Sequence, residues 1–360
     1  MTNPSKYSII YRLEKISDNR GKQVKMNIFL AILALVGGFV LLIKGADWFV
    51  EGSSSVAKLL KVPTIIIGLT VVALGTSLPE ASVSISSALK GQNALAVSNV
   101  VGSNLFNTLV VLGASALIKP IAVQKNTIEK EIPFSILCTA ALLGSLFLGI
   151  NTGVPADGEV GAAGVETTYT LGWIAGLILT ALLAFYMYWQ ISSALKARKA
   201  GELEEEEDVK VMSPLKSILA IVVGAVCIIF GGDFVVDGAS AIAAKFGMSE
   251  TLIGMTIVAL GTSLPELVTS MVAATKGESD LALGNVIGSN IFNVVFILGS
   301  SALISPITVG LLAVIDTVAV IVITVLVLVF AVATKKRISR AEGAVLLACY
   351  AGYFVYMFLR

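Results

Sequence analysis

The chain has 360 residues, 56% hydrophobic and only 14% charged, with a mean hydropathy of +0.91. That balance excludes an ordinary water-soluble domain, and a formal net charge of +1 leaves no electrostatic footprint for nucleic acid or an acidic partner. Histidine is absent, which removes the commonest transition-metal ligand and the usual proton shuttle near neutral pH.

Residues 1–25 are polar and basic and contain no apolar core of signal-peptide length, while Met26 directly precedes the first apolar run. The expectation is that 1–25 is an upstream extension and Met26 the natural start. A membrane-spanning helix needs ~20 mostly apolar residues. Windows of that kind fall at about 27–46, 64–89, 94–118, 132–150, 169–195, 214–245, 252–275, 280–304, 309–333 and 340–359. Alternating barrel-type strands are not seen, so the fold class expected is an all-α polytopic membrane protein with ten transmembrane helices.

The loop at 151–168 is Gly-rich, acidic and free of Lys and Arg. The connection at 196–213 contains Glu204, Glu205, Glu206, Glu207 and Asp208, a run read as a solvated linker or as a calcium-sensing patch. It divides a first half, 26–195, from a second, 214–360. If the first span enters from outside, the internal loops hold fifteen basic residues, among them Lys58, Lys61, Lys119, Arg198, Lys276 and Arg337. The external side, without the prefix, holds only Lys90, Lys245 and Arg360. This positive-inside pattern places a multi-pass protein in the cell's inner (plasma) membrane with both termini outside. Cys138, Cys227 and Cys349 lie far apart in apolar runs and read as buried small hydrophobes.

Gly68 to Ile118 and Gly254 to Ile304 align without a gap at an offset of 186, and 30 of the 51 positions are identical. Further upstream, Gly45-Ala46-Asp47 matches Gly231-Gly232-Asp233 at the same offset. The chain is therefore an internal duplication. Five spans per half is an odd number, so the second half enters in the opposite direction. That gives two inverted-topology repeats of five, the plan of secondary transporters, with the site at the repeat interface.

Each copy centres on Gly-Thr-Ser-Leu-Pro-Glu, at 75–80 and 261–266. A glutamate inside an apolar span is functional by default, because its charge is costly there unless paired. Pro79 leaves the Gly75 carbonyl without its helical donor, and a cation can replace that donor. Ser77, Glu80 and Ser84 are spaced to share a helical face, as are Ser263, Glu266 and Ser270. Asn99, Ser103 and Asn107 form a stripe on the following helix, repeated by Asn285, Ser289 and Asn293. Any one of these hydroxyls or amides also reads as helix–helix glue. Asp47 and Asp233 read either as parts of an ion pathway or, for Asp47, as a partner of Lys44. The collected donors are hard oxygens, which suit Ca²⁺ and Na⁺ and suit Zn²⁺ or Cu⁺ poorly. A channel lacks support, because no pore-lining ring repeats. An enzyme is not expected, because no nucleophile–base pair is present.

The paired motifs, each followed by a stretch of the form Ser/Gly-Asn-Val-x-Gly-Ser-Asn-x-Phe-Asn, Ser98 to Asn107 and Gly284 to Asn293, resemble the two alpha repeats of the calcium/cation antiporter superfamily, and most closely its prokaryotic sodium/calcium exchangers. The resemblance implies that Glu80 and Glu266 coordinate the transported ions. It further implies oxygens from Thr76, Ser77, Thr262 and Ser263, backbone carbonyls at Ala73 and Ala259, and side chains of Ser103, Asn107, Ser289 and Asn293. It also implies that the first and sixth spans, about 27–56 and 214–245, slide against a stationary core. Some members carry an aspartate where this chain has Asn107 or Asn293. Two carboxylates balance one Ca²⁺ or two Na⁺, and a third Na⁺ would leave the site positive. The function expected is exchange of Ca²⁺ for Na⁺ by alternating access, with a Ca²⁺/H⁺ or K⁺-dependent exchanger as the alternative. No cofactor is expected; the partners are the transported ions and the lipid bilayer.

Overall fold

The structure, a computed structural model, describes residues 27–89, 93–152, 167–200, 211–248, 257, 259–334 and 336–359. The extension 1–25, the proposed start at Met26, the acidic run 204–208 and most of the 151–168 loop lie outside the described residues.

In chain order the helices are α1 (Ile28–Leu60), α2 (Thr64–Thr76), α3 (Leu78–Leu89), α4 (93–118), α5 (Thr127–Leu148) and α6 (Trp173–Ala200). The second half supplies α7 (Pro214–Lys245), α8 (Ala259–Gly261), α9 (Leu264–Lys276), α10 (Ser279–Ile304), α11 (Leu311–Ala333) and α12 (Arg340–Leu359). Among the described residues, seven helices are long and apolar enough to cross a membrane, or eight if the bent pair α2 and α3 is one span. The expected ten is not reached. Much of the 252–275 window lies outside the described residues, and α12 opens on Arg340 and Glu342 and is not one of the seven.

The purely helical expectation also needs amendment, because short strands tie the connections together. β1 (Ile121–Ala122) pairs with β5 (Arg337–Ile338) at one end of the bundle. At the other, β2 (Ile150–Thr152), β3 (Thr167–Leu171) and β4 (Ile307–Val309) form an antiparallel sheet in that order, with Tyr169 opposite Ile150 and Val309. Loop backbone near a membrane must satisfy its own polar groups, and strand pairing does so.

The helices sort by enclosure. α10 is the central post: every residue from 281 to 292 is buried. α1, α7 and α11 instead expose large apolar side chains such as Phe29, Leu215 and Val322, a surface suited to lipid. α1 and α7 pack antiparallel at very close range. Their glycines recur every seven residues, and a Cβ on Gly45 would sit 2.8 Å from the Cβ of Cys227 and 2.9 Å from the Gly224 carbonyl. Gly38 meets Gly231 in the same way. Gly224 and Gly231 are the 186-offset counterparts of Gly38 and Gly45, so each helix offers the other the same surface in reverse.

This contact predicts that Gly45→Val, which must push α1 and α7 apart, destabilises the protein by ~1–3 kcal/mol. Gly37→Val, which meets nothing within 4 Å, should be close to neutral; thermal unfolding of the two variants in detergent compares them.

Candidate ion-binding site

Proline is tolerated in a first helical turn and not in an interior. The chain follows that rule in both copies. Pro79 and Pro265 take the second positions of α3 and α9, and the helices before them end. Ser77 (φ −81°, ψ 5°) and Ser263 (φ −93°, ψ 5°) are the break residues, with nearly the same non-helical geometry. α2 and α3 meet at 51°. The helix stops at Thr76, and Ser77 N–H donates to Ala73 O while Ala81 N–H donates to Ser77 O. Glu80 and Glu266 consequently stand in first turns, where the positive end of the helix dipole favours a carboxylate.

The breaks bring the copies face to face. Ser77 donates to Glu266 Oε1 at 3.1 Å, and Ser263 donates to Glu80 Oε1 at 3.0 Å. Each glutamate is thus held by the serine of the other copy. Ser103 Oγ lies 3.1 Å from Ser263 Oγ and 3.4 Å from Glu80 Oε1. On the other side Thr76 donates to Asn285 Oδ1 at 2.9 Å, and the hydroxyls of Thr76 and Ser289 both lie 3.4 Å from the Ala73 carbonyl oxygen.

Both glutamates are fully buried, and no ion pair reaches either one among the described residues. Glu80 Oε2, Glu266 Oε2, Asn107 Oδ1 and Asn293 Oδ1 are all buried without a protein partner. Leaving a buried acceptor unmet costs ~1–3 kcal/mol, and more when it is charged. Four such oxygens in the matching positions of two repeats fit a hard cation, whose ligands are oxygen atoms.

Of the expected residues, Thr76, Ser77, Glu80, Ser103, Ser263, Glu266, Ser289, Asn293 and the Ala73 carbonyl belong to this connected group. Asn107 is buried beside it on α4 with its side chain unpartnered. Thr262 differs from Thr76: it is half-buried and lines a cavity. Ala259 opens α8. Glu80 and Ser84 stand four residues apart on α3, and Ser77 lies at the break just before it. Ser84 accepts from Asn99 at 3.0 Å, and Ser270 accepts from Asn285 at 2.9 Å. Ser84, Asn99 and Ser270 therefore fasten neighbouring helices.

Two features escaped the sequence. Asn104 and Asn290 lock α4 to α10: Asn104 Nδ2 donates to Asn290 O (3.1 Å), Asn290 Nδ2 to Thr108 Oγ1 (2.8 Å), and Asn293 Nδ2 to Asn104 Oδ1 (3.0 Å). Their signal was identity in both copies. The second is a set of π-helical turns, Gly68–Val72, Asn107–Val111 and Asn293–Leu298. They begin at Asn107 and Asn293 and end just before Ala73. Such turns loosen backbone carbonyls and often mark functional sites. The hydroxyl of Tyr186 donates to one of the loosened carbonyls, Leu69 O, at 3.1 Å.

Opposed carboxylates on broken helices, carried by a duplicated bundle of apolar helices, define a membrane transport protein. The chain belongs to the sodium/calcium exchanger protein family, whose sequence model matches residues 30–192 and 216–359. CaxA of Alkalimonas amylolytica is 40% identical over 92% of this chain and 99% of its own length. Sodium/calcium exchanger MaX1 of Methanosarcina acetivorans is 31% identical, again over 92% and 99%. The solved structure of the sodium-calcium exchanger NCX_Mj soaked with 10 mM Na⁺ and zero Ca²⁺ superposes with a TM-score of 0.75 at 31% identity, covering 91% of this chain and 99% of that one.

Asn104→Ala removes two of the bonds between α4 and α10. The expected loss is ~0.6–1.7 kcal/mol, read as a lower unfolding temperature in detergent than that of wild type.

Proposed function

We propose that this chain exchanges Ca²⁺ for Na⁺ across the membrane by alternating access at a single site between its two repeats. The observation that carries the reading is the pair of buried glutamates, one from each copy, each bonded to the other copy's serine and each with one oxygen unmet. Two carboxylates buried together without a protein cation are expensive. A bound Ca²⁺, or two Na⁺, neutralises them. Both ions need the same charges, so one leaves before the other binds, and that exclusion couples their movements. The names of MaX1 and NCX_Mj attach this pair of ions to relatives of closely similar length.

In this reading Glu80 and Glu266 supply the charge. Thr76, Ser77, Ser103, Asn107 and the Ala73 carbonyl contribute neutral oxygens, as do Thr262, Ser263, Ser289, Asn293 and the Ala259 carbonyl from the second copy. Ten spans in two inverted repeats of five provide the frame, with the Lys-rich connections inside the cell. α1 and α7 move together against the remaining helices, because glycines weld them into a pair.

The test is uptake of ⁴⁵Ca²⁺ into proteoliposomes with Na⁺, K⁺ and pH gradients set independently. Wild type should take up Ca²⁺ when Na⁺ flows outward and the pH gradient is collapsed. Glu80→Gln and Glu266→Gln should each reduce that uptake to the level of protein-free vesicles. Uptake indifferent to Na⁺ and driven by a pH gradient would assign the counter-ion to H⁺, and normal uptake by both variants would refute the site.

A further inference from the structure

A cavity of about 270 Å³ lies between α7 and the two helix breaks. Its walls include Pro79 and Pro265, the residues directly before the two glutamates, together with Ser82 and Thr262. Ser82 follows the break in its copy and Thr262 precedes the break in the other. In a duplicated bundle of opposed direction both therefore lie toward the same end, that of the three-stranded sheet. The α7 wall carries Asp233.

Asp233 stands twelve residues from the end of a 32-residue helix, ~18 Å along its axis. Its side chain is exposed, and among the described residues it makes no ion pair or hydrogen bond. A carboxylate at such a depth is tolerated where it faces a water-filled cavity, and it marks an ion or substrate path. Asp47, its counterpart in the first copy, is placed very differently. Lys276 lies 3.3 Å from it and Lys44 3.8 Å, and Lys276 also holds Glu51 at 2.6 Å. The counterpart of Lys44 on α7 is Phe230. The sheet end thus has a cavity lined by a carboxylate with no ion pair among the described residues, while at the opposite end the matching carboxylate is paired with two lysines.

We propose that Asp233 collects hydrated cations from the sheet-side face and delivers them to Glu80 and Glu266. The inference rests on the exchanger reading of those two glutamates. A single negative charge in a low-dielectric cleft raises the local concentration of cations and speeds their arrival. It binds them too weakly to hold them against two carboxylates and a ring of hydroxyls. Asp233 therefore sets how readily Ca²⁺ reaches the site from one face and leaves the flux at saturating Ca²⁺ unchanged.

The experiment compares wild type, Asp233→Asn and Asp233→Glu in right-side-out and inverted membrane vesicles, with initial ⁴⁵Ca²⁺ flux measured against Ca²⁺ concentration at a fixed Na⁺ gradient. Asp233→Asn should raise the KM for Ca²⁺ on the order of tenfold when Ca²⁺ is offered to the sheet-side face. Vmax and the KM at the opposite face should not change, and Asp233→Glu should match wild type. Added choline chloride should shrink the difference, because the attraction is screened. An unchanged KM at both faces, or an equal rise at both, overturns the inference while the exchanger reading stands. Absence of Na⁺-driven flux in wild type overturns both. Should Asp233→Asn fail to reach the membrane, Asp233→Cys in a background with Cys138, Cys227 and Cys349 replaced by alanine serves instead. A negatively charged thiosulfonate reagent should lower its KM and a positively charged one raise it; equal effects from both reagents reject the proposal.

Discussion

Two carboxyl groups buried with no basic partner among the described residues are the constraint on which the rest of the molecule depends. Keeping even one of them charged there costs several kcal/mol after relaxation, a large fraction of what holds an ordinary domain together. The surroundings of Glu80 and Glu266 reduce that cost by several small means. Each carboxylate sits in the first turn of a helix, each receives a serine hydroxyl from the other copy, and α10 shields the pair from lipid. Each means is incomplete, since one oxygen of each carboxylate is left over. A site finished by protein groups alone would have no use for an ion.

Much of this was legible in the sequence. The repeat identified the two glutamates, the offset of 186 paired every site residue with its counterpart, and the hard-oxygen inventory pointed to the class of ion. What the spacing did not show is the break itself. Pro79 and Pro265 do more than kink their helices: they restart them. Ser77, at the break, bonds to Glu266 of the opposite copy, while Ser84, within α3, accepts from Asn99 on the neighbouring helix.

The π turns were illegible for a related reason. Gly68–Val72, Asn107–Val111 and Asn293–Leu298 contain residues that would sit comfortably in an ordinary helix, and no local pattern in them marks the extra residue per turn. Asn104 and Asn290 were visible as letters in the repeated motif. Their role as fasteners between α4 and α10 depends on which helix is opposite, and periodicity within one segment carries no information about that.

The two small sheets bear on the energetics of motion. β1–β5 joins the connection before α5 to the connection before α12, and β2–β3–β4 joins the connection before α6 to the one before α11. Among the described residues, no strand involves the ends of α1 or α7. The bundle is therefore cross-braced at both rims except where its two outermost helices lie. In mechanical terms the motion proposed above would be that of a slider against a stator. Such a displacement would break no ladder hydrogen bond among the described residues; it would have to break the Lys276 ion pairs and the Ser54–Glu278 hydrogen bond.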